Sequence, residues 1–179
     1  PYTTLFRSIA VIEAVSGKPF AGYWLHGEHV LVRKVKMSKS RGNITYLSDL
    51  TARGYQPHHL RFYLIYGHYR EKLNLNVDHL HLARGKVDSF RDLVSRLAAA
   101  GPDPARSDPV AEEHIKSLRR EFEDRMNDDL DVRGAFDAVY SATATLASIQ
   151  TRNGLSGSDA LRALETLRQI DTVWQVTDA

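Results

Sequence analysis

The residues best suited to chemistry are Lys36-Met37-Ser38-Lys39-Ser40, two lysines three positions apart among small hydroxyl side chains, continued by Arg41-Gly42-Asn43. Arg33 and Lys34 lie just upstream, so five cations fall within a short stretch that invites a phosphate. Lysine acts there as a mobile point charge. Ser38, Ser40 and Gly42 allow close backbone approach and closure of a loop over a bound group. A solvated basic turn accounts for Arg33 and Lys34 but leaves the ordered run at 36–40 unexplained. The opposite charge collects later, at Glu121, Glu123, Asp124, Asp128, Asp129 and Asp131.

The elements that must position these lysines read as mixed α/β. Ile9 to Val15 suits a helix stopped by Gly17 with Pro19 beyond it. His29–Val32 and Val35-Lys36 read as two extended pieces around an Arg33-Lys34 turn, followed by polar loop from Ser38 to Asn43. Ser48 is expected to cap a short helix closed by Gly54. Pro57 opens the next helix, with Leu60, Tyr63 and Leu64 on one face. From Asn76 onward helical periodicity takes over. Leu80, Ala83, Val87, Phe90, Val94 and Leu97 make one stripe. Ile115, Leu118, Phe122 and Met126 make a second, after a linker at Gly101–Pro109. Val132, Ala135, Phe136, Val139, Thr143 and Leu146 carry a third. Leu161, Leu164, Leu167, Ile170 and Trp174, capped by Ser158, carry a fourth. The expected fold is mainly α: a mixed α/β part, then a helical segment, then an antiparallel bundle.

Composition narrows the classes. Of 179 residues 42% are hydrophobic and 26% charged, the balance of a folded domain. No apolar run reaches the roughly 20 residues that cross a bilayer, and the expected location is cytoplasmic, with no membrane partner. With no cysteine there is neither a disulfide nor a thiolate metal site, and although eight histidines are present no metal ligand is assigned. The first eight residues, Pro1 to Ser8, show no helical or strand period and resemble translated adapter oligonucleotide, so they are expected to be foreign to the fold.

The run at 36–40 resembles the Lys-Met-Ser-Lys-Ser loop of class I aminoacyl-tRNA synthetases. Ser16–His26, Arg61-Phe62, Gly67–Arg70 with Leu73-Asn74, and Met126–Leu130 resemble segments of the cysteinyl-tRNA synthetases in particular. That resemblance implies catalytic lysines at Lys36 and Lys39, ATP binding by Lys36, Met37, Ser38, Lys39 and Ser40, and an amino-acid pocket at Trp24 and His26. It also implies tRNA contact by His68, Tyr69 and Arg70. The implied parent activates cysteine with ATP and Mg2+, passes it to tRNA(Cys), carries Zn2+ and acts as a monomer. The implied layout is a catalytic remnant over 9–48, a stem-contact segment over 49–76 and a tRNA-binding bundle over 77–179. The family's His-Ile-Gly-His motif and its zinc ligands are absent from the 179 residues. They are expected to precede Ile9, which would make this chain an inactive C-terminal part. Val11-Ile12 and the Arg33-Lys34 turn also depart from the family pattern. Two other readings stand beside it: the cysteine ligase of mycothiol synthesis, and a free-standing helical RNA-binding module.

Overall fold

The computed structural model describes residues 2–99 and 109–177; the expected linker at Gly101–Pro109 therefore lies almost wholly outside the described residues. Helix α1 runs Tyr2–Ser16, so the segment expected to be without period is continuous with the helix expected from Ile9. It ends as its sequence demands, at Gly17 in the left-handed region (φ 65°). After an irregular stretch come β1 (Val30–Val32) and β2 (Val35–Lys36), an antiparallel hairpin with Val32 opposite Val35. Arg33 (φ 52°) and Lys34 (φ 66°) both take left-handed backbone, which matches the right-handed twist of the strands without the usual glycine. A strand that carried no period of its own, β3 (Leu73–Leu75), pairs parallel to β1 and makes the sheet order β2-β1-β3.

Helix α2 (Leu47–Thr51) is not capped by Ser48, which lies inside its first turn. The cap residue is Tyr46, whose backbone N–H donates to Asp49 at 3.1 Å. Helix α3 (Pro57–Tyr66) buries Leu60, Phe62 and Tyr63, while Leu64, expected on the same face, is 49% exposed. The arc toward the bundle is already filled by Phe62, which turns Leu64 outward. Helices α4 (Val77–Ala98), α5 (Pro109–Asn127), α6 (Val132–Asn153) and α7 (Gly157–Trp174) form the bundle. The α7 cap is Ser156, which accepts from the Asp159 N–H at 3.1 Å, and not Ser158.

Chain direction alternates along the bundle, yet the nearest neighbours are not the consecutive helices throughout. Helix α6 packs on both α4 and α5, and α7 on both α5 and α4. Lys86 meets Asp137 and Ser89 meets Tyr140, so α4 and α6 run parallel; Glu112 with Arg162 and Phe122 with Trp174 make α5 and α7 parallel too. The short turn between α5 and α6 makes that pair antiparallel.

The core centres on Phe136, which has no exposed surface. Its ring lies 4.5 Å from Phe62, 5.1 Å from Phe90 and 5.4 Å from Trp174, so α3, α4 and α7 converge on α6. The four stripes largely hold, with six departures. Leu161 is 69% exposed, and Val94, Phe122, Met126, Val132 and Leu164 are only partly buried against the core. Arg61 explains the close of α7: its guanidinium donates to the carbonyls of Val173 and Trp174, two acceptors a helix end leaves open.

Candidate nucleotide loop and RNA-facing joint

The signature run leaves β2 at Lys36 and turns through a short 3-10 segment, Lys39–Arg41, closed by Gly42 at φ 63°. Asn43 holds it from within. Its Oδ1 accepts the Ser38 N–H at 2.9 Å and its Nδ2 donates to the Lys36 carbonyl at 3.1 Å, bridging both ends of the lysine pair. Met37 folds inward: its N–H donates to Val30 O at 3.1 Å, and its sulfur lies 3.5 Å from the Thr45 N–H. Lys36 and Lys39 are exposed, and among the described residues neither has an ion-pair partner. A backbone fixed by Asn43 thus presents two free ammonium groups to solvent. Replacing Asn43 with alanine is expected to cost about 1 kcal/mol or less of stability and to speed amide exchange at Ser38, which hydrogen-exchange mass spectrometry reads directly.

One residue ties this hairpin to the rest of the chain. Asn74, on β3, accepts the Lys34 N–H through its Oδ1 at 2.7 Å, while its backbone carbonyl accepts the Tyr63 hydroxyl at 2.9 Å. The left-handed turn before the loop is thereby pinned to α3.

Trp24 and His26 stack with ring centroids 6.2 Å apart and planes 11° from parallel, and Phe20 lies 5.8 Å from Trp24. The stack is open: Trp24 is 44% exposed, and neither ring takes part in the core. No hydrogen bond or ring contact joins this pair to the lysine loop among the described residues.

His68, Tyr69 and Arg70 are brought together, and onto one carboxylate. The Tyr69 hydroxyl donates to Asp129 at 2.5 Å, Arg70 grips the same carboxylate with Nε at 2.6 Å and Nη2 at 3.1 Å, and His68 Nε2 lies 3.7 Å away. Arg70 also covers the Tyr69 ring at 4.9 Å. Asp129 sits in the α5–α6 turn with φ 50°, its side chain turned back toward the segment before β3. Two stretches that sequence singled out separately, 67–70 and 126–130, are therefore one joint. The second half of it was missed as a partner; the acidic cluster around Asp129 was its visible trace.

Hydrogen bonds from Arg70 and then Tyr69 hold the Asp129 carboxyl down at about 2, while Tyr69, donating to that carboxylate, is raised. A carboxyl depressed by folding adds stability that is fully present above its unfolded value near 3.9 and is lost as pH falls through the folded value. Between about pH 4 and pH 2 the joint is accordingly expected to loosen, seen as faster amide exchange at Tyr69 to Glu71. Asp129→Asn should produce the same loosening already at pH 7.

His58, His59 and Asp88 bring ligand atoms within 4.8 Å of one another, a spacing a metal ion would accept. Hydrogen bonds already engage both nitrogens of His59. His59 Nδ1 accepts the Gln56 N–H at 3.0 Å, which places its proton on Nε2, and Nε2 faces Asp88 Oδ1 at 2.8 Å. A protonated nitrogen offers no lone pair, so this buried histidine serves as a cap and a tie to α4.

Residues 7–85, which contain the hairpin, the lysine loop, α3 and β3, match the family described as the class I (C) tRNA synthetase catalytic domain. The candidate site thus lies inside the stretch that matches the class I synthetases. Over 93% of its length the chain is 34% identical to a cysteine–tRNA ligase of Chlamydia felis and 37% identical to that of Chlamydia muridarum. Over 95% it is 32% identical to the cysteine–tRNA ligase of Solibacter usitatus. Over nearly its whole length the chain is thus similar to cysteinyl-tRNA synthetases. It spans 35% to 37% of the length of these relatives.

Proposed function

We propose that this chain is the part of a cysteine–tRNA ligase that delivers the lysine loop to ATP and the helical bundle to tRNA(Cys). The observation that carries the reading is the loop itself: among the described residues Lys36 and Lys39 stand unpaired, on a backbone braced by Asn43. In cysteine activation the amino-acid carboxylate attacks the α-phosphorus of ATP, the bond to the β-phosphate oxygen breaks, and pyrophosphate leaves with growing negative charge. A Lys39 ammonium beside those oxygens, supported by Lys36, stabilises that charge where it develops. Met37, Ser38 and Ser40 shape the backbone that closes on the nucleotide. Mg2+ travels with the ATP phosphates as part of the substrate.

Trp24 and His26 are assigned to the amino-acid side, where their open stack is available to line a pocket completed by residues outside this chain. Zinc is not assigned to this chain: it has no cysteine, and the one cluster of candidate ligands among the described residues is committed to hydrogen bonds. His68, Tyr69 and Arg70 are assigned to tRNA through the joint with Asp129. The joint fixes Arg70 so that its outer face meets a phosphate without reading sequence.

The test has two arms. The chain should bind tRNA(Cys) with an affinity that falls steeply with salt. It should show no cysteine-dependent pyrophosphate exchange alone and should gain it when fused behind the N-terminal two thirds of a cysteine–tRNA ligase. Exchange restored without any tRNA binding would favour the amino-sugar ligase; tRNA binding with no exchange in the fusion would favour an RNA-binding module.

A further inference from the structure

We propose that the groove between the end of α3, β3 and the first turns of α4 is a receptor for one unpaired nucleotide of the bound RNA, its base on a leucine wall and its phosphate on a cationic rim. The proposal rests on the ligase reading above, because it takes the bound macromolecule to be RNA.

The groove has a volume of 450 Å3, within the roughly 300–1,000 Å3 typical of small-ligand sites. Its wall is apolar and unusually open to solvent: Leu64 is 49% and Leu82 70% exposed, with Leu73 and the Tyr66 ring continuing the surface between them. Two helices of a soluble protein do not ordinarily turn a leucine each into one concave surface with nothing on it.

The rim is cationic, and part of it is fixed in advance. Lys86 donates to the Tyr66 hydroxyl and to Asp137, both at 2.7 Å. Burial works against its charge, but those two hydrogen bonds outweigh it and hold the ammonium above the ordinary lysine range. Arg133 reaches over the Tyr66 ring at 5.1 Å while its Nε donates to the Tyr66 carbonyl at 3.4 Å. Lys72 and His79, by contrast, line the groove with no side-chain hydrogen-bond or ion-pair partner among the described residues. Against these groups the lining contributes one acid, Glu71. Two fixed cations, one of them paired with Asp137, a free one and the imidazoles of His68 and His79 around an apolar slot suit a flat base joined to a phosphate. An acidic helix is a poorer match, since it would offer many charges and no planar apolar face. A paired base is also unsuited, since its apolar faces are covered by stacking. His68 belongs to both the groove and the joint with Asp129, so a nucleotide seated here lies beside the segment already assigned to tRNA.

The test uses the 179-residue chain, labelled with 15N and titrated in turn with cytidine 5′-monophosphate, cytidine and inorganic phosphate. Saturable shifts of the Gly67, Lys72 and Leu82 amides are expected with the nucleotide, and at least about tenfold weaker binding with either fragment. Leu82→Asp, at a position exposed enough to leave the core intact, should weaken the nucleotide about tenfold and should reduce tRNA(Cys) affinity as well. Lys72→Ala should do the same with a shallower salt dependence. Equal binding of phosphate and nucleotide would reduce the groove to a general anion patch and overturn the proposal. So would displacement of the nucleotide by a short polyglutamate peptide, which would mark a protein-docking face. If tRNA binds and Leu82→Asp leaves it unchanged, the groove is wrong and the ligase reading stands. If nucleotides fill the groove and tRNA does not bind, the ligase reading is the one that fails.

Discussion

Lys39→Ala, in a fusion that gains exchange, is expected to lower the rate of cysteine activation roughly 100- to 1,000-fold while weakening ATP binding far less, the loss typical of removing one preorganised group that acts on developing charge. The asymmetry follows from where the ammonium is proposed to act. Ground-state ATP already carries its charge and can be held by many contacts, whereas the extra charge on departing pyrophosphate exists only in the transition state. Lys34→Ala is the control. Lys34 lies in the turn outside the signature, exposed, with only its backbone N–H engaged among the described residues, by Asn74, and a solvated surface charge contributes little. Pyrophosphate exchange and equilibrium ATP binding measured side by side on both variants decide the matter. Equal losses at the two positions would mean that the stretch offers only general positive charge.

Phe136→Ala should destabilise the chain by about 3–5 kcal/mol, a large fraction of the roughly 5–15 kcal/mol that typically holds a domain together. The value sits at the high end because relaxation is blocked. Phe62, Phe90 and Trp174 pack on the ring from three other helices, and none can move into the space without leaving its own contacts. Phe122→Ala should cost less, since that ring is only partly buried at the edge of the cluster, where it meets Trp174 at 5.3 Å. Urea unfolding followed by circular dichroism measures both; a larger loss at Phe122 would mean that the centre of the core lies elsewhere.

Periodicity carried most of the bundle, because Leu80, Val87, Phe90, Leu118, Val139 and Leu167 obey spacings that only a buried helical face explains. It failed where a helix has more apolar residues than its neighbours can cover. Leu64 and Leu161 fall on the right arc of their helices and still face solvent, since burial depends on what is packed opposite and not on the helix alone. Strand β3 was invisible for a related reason: Leu73–Leu75 is three residues long, and only a partner more than forty positions upstream makes it a strand. For the candidate site, the five-residue run was legible outright, as was the turn that precedes it. Asn43 and Asn74 were not read as supports, since an amide side chain bonded to distant backbone leaves no pattern in the letters around it.

The hydrogen bond from Tyr69 to Asp129 spans 60 positions of sequence. On a ribosome adding about 5–20 residues per second, the segment at 68–70 leaves the exit tunnel some 3–12 s before its anchor does. For that interval three polar side chains and the short strand beside them have no acid to close on. Nascent chains stalled on either side of residue 129 would therefore differ in protease resistance at Gly67 to Lys72, and synonymous codons that slow translation between these points would lengthen the exposed interval without altering the finished protein.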